Sequence, residues 1–79
     1  MDDDQVFELV RKNLCVVLPE VDPASVRPDM AMADLGCNSI DRTEVVAMTM
    51  EDLDVDVPVM EFRDVCDIRT LVAVLRRHT

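Results

Sequence analysis

Apolar residues near the start of the chain fall at Val6, Val10, Leu14, Val17 and Leu18, with Phe7 beside them. This spacing has a helical period and predicts a first helix from about Asp4 to Leu18. Asp2, Asp3 and Asp4 put negative charge at its start, and Asp2 with Gln5 forms a capping box. Pro19 stops it. At the other end of the chain, Ile68, Leu71, Val72 and Leu75 recur at i, i+3, i+4 and i+7 behind a capping Asp67 and predict a last helix. Arg76, Arg77 and His78 complement its C-terminal dipole.

The middle of the chain is less regular. Pro19, Pro23 and Pro28 interrupt residues 19–37, so no regular element fits there. A connection of about 20 residues is long for so small a chain, the mark of a functional loop or of a misassigned element, and a long, mostly ordered loop is expected. Val26, Met30, Met32 and Leu35 are expected to pin it to the core, with one short turn at residues 22–26. A second helix follows from about Ser39 to Leu53. Its apolar residues Ile40, Val45, Val46, Ala47, Met48, Met50 and Leu53 cover more than one stripe, which predicts one face for the core and another for a ligand or partner. Pro58 then opens a short third helix at about residues 59–64, with Met60 and Phe62 inside or lining a pocket. The expected architecture is all-α: a four-helix bundle with three longer helices, a short third helix and a long loop between the first two.

Seventy-nine residues are enough for one domain, expected to span residues 1–79, with a small core and modest stability. Two Phe and no Trp or Tyr leave packing to aliphatic side chains and six Met. Seventeen acids against eight bases give a net charge of −9. That charge opposes nucleic-acid binding and favours docking onto basic protein surfaces. No apolar run is long enough to cross a membrane, and the acidic N-terminus is unlike a signal peptide. A cytoplasmic location and a monomer are expected.

Little of this composition points to catalysis. Cys15, Cys37 and Cys66 are odd in number and widely spaced, against a disulfide framework or a zinc site. Cys15 and Cys66 lie in apolar stretches and are expected in the core, with Cys37 partly exposed. A nucleophilic Cys37 would need a base, and the single histidine, His78, lies in the terminal tail. Asp52, Asp54 and Asp56 alternate like the opening of a calcium loop. Val57 stands where that loop needs Gly, and Arg63 where it needs Glu, which rejects an EF-hand.

The candidate chemistry sits in Ala33-Asp34-Leu35-Gly36-Cys37-Asn38-Ser39-Ile40-Asp41, where a glycine-containing loop turns into the second helix. Two local readings are open. Ser39 itself caps the helix, or Asn38 caps it with Asp41 three residues on and leaves the Ser39 hydroxyl free at the first helical position. In the second case the helix N-terminus stabilises a negative charge attached to Ser39.

The run Asp34-Leu35-Gly36-Cys37-Asn38-Ser39-Ile40-Asp41, with the element order around it, resembles the acyl carrier proteins over essentially the whole chain. The usual motif has Asp where this chain has Asn38 and Leu where it has Ile40, and the Gly-Gly-x-Ser of peptidyl carriers is missing. The resemblance implies a non-catalytic carrier in which a phosphopantetheinyl transferase attaches 4′-phosphopantetheine from coenzyme A to Ser39. Residues 38–44 and 48–51 look like a narrower group, the free-standing donor carriers of polyketide β-branching cassettes. Met1 near the first helix and an end just after the last one fit a free-standing protein. Such a carrier presents acetyl to a hydroxymethylglutaryl-CoA-synthase-like (HMG-CoA-synthase-like) enzyme, and also meets acyl-loading or decarboxylating polyketide enzymes. Asp34, Asp41, Glu44 and Glu51 surround or follow the attachment point and suit basic partner surfaces. Arg42 and Thr43 break the acidic run and are candidates for partner discrimination, with Val46 and Met50 extending an apolar strip. Two alternatives stand beside this reading: an ordinary carrier for polyketide or fatty-acid elongation, and a small acidic helical adaptor without a prosthetic group.

Overall fold

The computed structural model describes residues 2–79, and all its regular elements are helical. Helix α1 spans Asp3–Val17, α2 spans Ser39–Leu53 and α3 spans Ile68–Arg76. Three 3₁₀ turns lie between them, at Pro23–Ser25, Met32–Leu35 and Val59–Phe62. The expected third helix is therefore a single 3₁₀ turn. Pro58 stands just before it, and its carbonyl accepts from the Glu61 N–H at 3.0 Å. The expected four-helix bundle becomes three helices with 3₁₀ connections.

Each helix begins with a reciprocal cap. Asp2 accepts from the Gln5 N–H at 2.9 Å while Gln5 accepts from the Asp2 N–H at 3.0 Å. Asp67 caps α3 through the Thr70 N–H at 2.8 Å. Helix α2 ends on Asp54 in the left-handed conformation, φ 55°. The acidic alternation at residues 52–56 thus includes a helix stop. Within it, Asp52 serves the fold by accepting from Lys12 and Asn13.

The core is aliphatic, and α3 supplies the largest share of it: Ile68, Leu71, Val72, Val74 and Leu75 are buried. Helix α1 adds Val6, Val10 and Leu14, while α2 adds Val45 alone among buried apolar residues. Helix α1 packs against both other helices. Two polar side chains are also buried, Asn13 on α1 and Thr49 on α2. Of the expected core cysteines, Cys15 is half-buried and Cys66 is exposed. Cys66 belongs to the turn before the α3 cap, where its N–H donates to the Thr70 hydroxyl at 3.1 Å.

The long connection is ordered by two contacts. Val26 and Met32 drop into the core, and Leu35 packs against it. Its backbone also closes onto α3. The Met30 carbonyl accepts from the Ile68 N–H at 2.8 Å, and the Pro28 carbonyl accepts from the Arg69 N–H at 2.8 Å. Helix starts leave such N–H groups without intrahelical partners, and here the loop supplies the acceptors. The predicted turn near residues 22–26 is present, capped by Asp22. The turn at Met32–Leu35 was not anticipated. Asp34 supports it, accepting from the Ala31 N–H at 3.1 Å.

Candidate functional site

Gly36 redirects the chain from the Met32–Leu35 turn into α2. It adopts φ 88°, and an added Cβ would meet nothing within 4 Å. The need for glycine is thus conformational rather than steric. The Gly36 and Cys37 N–H groups close the turn onto the Ala33 and Met32 carbonyls at 3.1 and 3.2 Å.

Asn38 is the cap of α2. Its side-chain oxygen accepts from the Asp41 N–H at 2.8 Å, and the Asp41 carboxylate accepts from the Asn38 N–H at 3.3 Å. The first helical backbone bond runs from the Arg42 N–H to the Asn38 carbonyl at 2.9 Å. Ser39 therefore occupies the first helical position, exposed, with its hydroxyl outside the cap. Of the two open readings, capping by Asn38 is the one observed. The N–H groups of Ser39 and Ile40 precede the first helical bond, so their partial positive charge faces outward.

Cys37 lies two residues before Ser39, half-buried on the wall of a cavity that it shares with Ser39. Burial pushes its thiol above the ordinary value, and the Asp41 carboxylate pushes in the same direction against the opposing pull of Arg42. A raised thiol pKa leaves little thiolate near neutrality. His78 is occupied elsewhere, with Nε2 2.9 Å from Glu61 Oε1, which ties the Val59–Phe62 turn to the end of α3.

Two cavities meet next to Ser39. The nearer, about 350 Å³, is lined by Ser39, Cys37, Ala31, Cys66 and Asp67, among others. The larger is a groove of about 560 Å³ between α2 and the Val59–Phe62 turn. Its walls are Val46, Ala47 and Met50 on one side and Val59, Met60 and Phe62 on the other, over a floor that includes Met32 and Leu71. Met32, Arg42 and Val65 line both cavities.

The sequence-predicted site residues thus divide into groups. Arg42, Thr43, Val46 and Met50 come together on the groove. The Thr43 hydroxyl also donates to the Ser39 carbonyl at 2.9 Å. Asp34 and Asp41 are exposed or half-exposed, but each closes a local turn. Glu44 is exposed and lines neither cavity. Val59 and Met60, 85% and 71% exposed, form an apolar rim of the groove, while Ile40, 71% exposed, lines neither cavity. Sequence reasoning named Met60 as core or pocket and passed over Val59; their position after Pro58 was the available signal.

An exposed hydroxyl at a helix start, with an apolar groove further along the same helix, suits a surface that carries a group. Over residues 4–76 the chain matches the phosphopantetheine attachment site family, and it belongs to that family. It is an acyl carrier protein, non-catalytic, whose prosthetic group is covalent 4′-phosphopantetheine. The adaptor alternative, which had no prosthetic group, is overturned by that match. The chain is 39% identical over 75 residues to the polyketide biosynthesis acyl carrier protein AcpK of Bacillus subtilis (strain 168), covering 95% of this chain and 92% of that one. Its fold is similar to a chain in the crystal structure of the curacin biosynthetic pathway HMG synthase in complex with acetyl donor-ACP. The TM-score is 0.85 at 28% identity, covering 94% of this chain and 95% of that one. No described helix is long and apolar enough to cross a membrane.

Proposed function

We propose that the chain is one carrier domain acting in polyketide β-branching, and that it bears its acyl group, acetyl, on 4′-phosphopantetheine attached to Ser39. The observation that carries the attachment is the free Ser39 hydroxyl at the first helical position of α2, outside the Asn38 cap and on the wall of the smaller cavity. A phosphopantetheinyl transferase would supply base and metal; Ser39 supplies the oxygen that bonds to the pantetheine-bearing phosphorus of coenzyme A and gives up its proton, while the pyrophosphate bond breaks and adenosine 3′,5′-bisphosphate leaves. The first-turn N–H groups then face the new phosphodiester charge. The carrier needs no acid, base or oxyanion hole of its own. It presents a thioester on a flexible arm, which raises the effective concentration at each partner.

The acetyl-donor reading is supported by the likeness to a chain solved with an HMG synthase and to a polyketide carrier. The partner face would combine Asp34, Asp41 and Glu44 with Arg42, Thr43, Val46 and Met50, and would meet an HMG-CoA-synthase-like enzyme and the acyl-loading or decarboxylating enzymes that precede it. All these encounters are expected in the cytoplasm with a monomeric carrier. Intact mass after incubation with coenzyme A and a transferase tests the attachment. The wild type should gain the pantetheine mass and Ser39→Ala should not, while keeping its fold. A mass gain by the Ala variant would overturn the assignment. Acetyl transfer from the loaded carrier to a β-branching synthase, compared with an elongating ketosynthase, separates the donor role from ordinary elongation.

A further inference from the structure

We infer that Arg42 is a positioning residue for the prosthetic arm: its guanidinium pairs with the phosphodiester on Ser39 and turns the arm toward the apolar groove. The inference rests on attachment at Ser39.

Four observations carry it. Arg42 follows Ser39 by three residues, so the two share a face of α2. Helical side chains lean toward the N-terminus, which aims Arg42 back at Ser39. Of the three residues that line both cavities, Arg42 alone is charged. It is also paired to no carboxylate among the described residues, where the ion pairs use Arg11, Lys12, Arg27, Arg76 and His78. Its charge is felt at the Cys37 thiol, two residues before Ser39.

The electrostatic need is evident. A phosphodiester adds negative charge to a chain already at −9. Its neighbours include Asp41 and, on the wall of the same cavity, Asp67. An unpaired guanidinium on that wall offsets the repulsion through charge-assisted hydrogen bonds. Because the pair is exposed it is weak, so a partner can lift the arm out at small cost. Arg63 is a built-in control. It is likewise outside those ion pairs and lines the groove, but it does not line the Ser39 cavity.

The test uses apo and holo protein, the holo form checked by intact mass. The Arg42 Nε–Hε resonance should shift on loading, and that of Arg63 should not. The ³¹P resonance of holo protein should respond to salt. In Arg42→Gln it should move to the value of the same holo protein unfolded in urea and lose that response. Arg42→Lys should restore part of the shift, and Arg63→Gln should leave it unchanged. Normal mass gain with an unmoved Arg42 resonance, or a ³¹P signal equal in wild type and Arg42→Gln, would overturn this inference alone. No mass gain in the wild type would overturn the attachment at Ser39 and this inference with it.

Discussion

Asn13 on α1 and Thr49 on α2 are joined across the interface between the two helices, with Asn13 Nδ2 2.9 Å from Thr49 Oγ1. Both side chains are buried. The Asn13 amide also donates to Asp52 at 3.0 Å, and the Thr49 hydroxyl donates to the Val45 carbonyl at 2.8 Å. Buried polar groups are tolerable when satisfied in this way. The pair fixes how α2 sits on α1, and hence how the Ser39 end of α2 is presented.

Asn13→Ala should therefore destabilise the fold by about 1–3 kcal/mol, because it removes two hydrogen bonds and leaves a gap beside the Thr49 hydroxyl. Urea titration followed by circular dichroism measures this. An unchanged midpoint would show that the network contributes nothing.

Acid sensitivity follows from the caps. The Asp67 carboxyl is held below the ordinary carboxylate value by the Thr70 backbone N–H, then by the Thr70 hydroxyl. A folded pKa below the unfolded one contributes stability that is present above the unfolded value, about 3.9, and is lost as pH falls through the folded value. Asn can still cap through its oxygen. The advantage of wild type over Asp67→Asn should thus be full near neutrality and vanish in strong acid. Denaturation midpoints measured across that range test the sign, and a gap that stays constant with pH would contradict it.

Salt should stabilise the protein. A net charge of −9 on 79 residues repels itself in the folded state. Screening at about 0.15 M shortens the reach of that repulsion to roughly 8 Å. The melting temperature should rise from low salt to that concentration, and a flat or falling curve would rule the effect out.

Partner discrimination should depend on Arg42 and Thr43, the exposed groove-lining residues nearest Ser39. In the apo protein, where Arg42 has no phosphodiester to answer, Arg42→Glu should weaken binding to the synthase by about 1–3 kcal/mol if the side chain is paired at the interface. Its modification rate by the transferase should barely change. Calorimetry and a timed mass assay on one preparation separate the outcomes: equal losses mean a damaged fold, and full binding removes Arg42 from the surface.

The helices of this chain were legible because apolar spacing and caps agreed. Asp2 with Gln5, Asn38 with Asp41, and Asp67 all act as their positions implied. The local sequence left two readings open at Ser39, and the structure has Asn38 as the cap with the Ser39 hydroxyl outside it. What escaped depended on contacts distant in sequence. Thr49 is a lone hydroxyl among apolar neighbours, and its place in the interior depends on Asn13, far away on α1. The loop's closure onto α3 uses backbone carbonyls, which no side-chain pattern reports. The third helix shortens to a single 3₁₀ turn in a segment where Phe62 and Val65 pack against the core. Cys66 looked apolar by composition, yet it belongs to the turn before the cap.

Helix α2 places only Val45 and Thr49 in the interior, whereas α3 commits five side chains to it. The helix proposed to meet partners is thus the one that gives the interior the fewest fully buried side chains. Its outward positions can be rewritten by mutation while the scaffold keeps its melting point. New pairings between carriers and their enzymes can then arise one residue at a time, without passing through an unfolded ancestor.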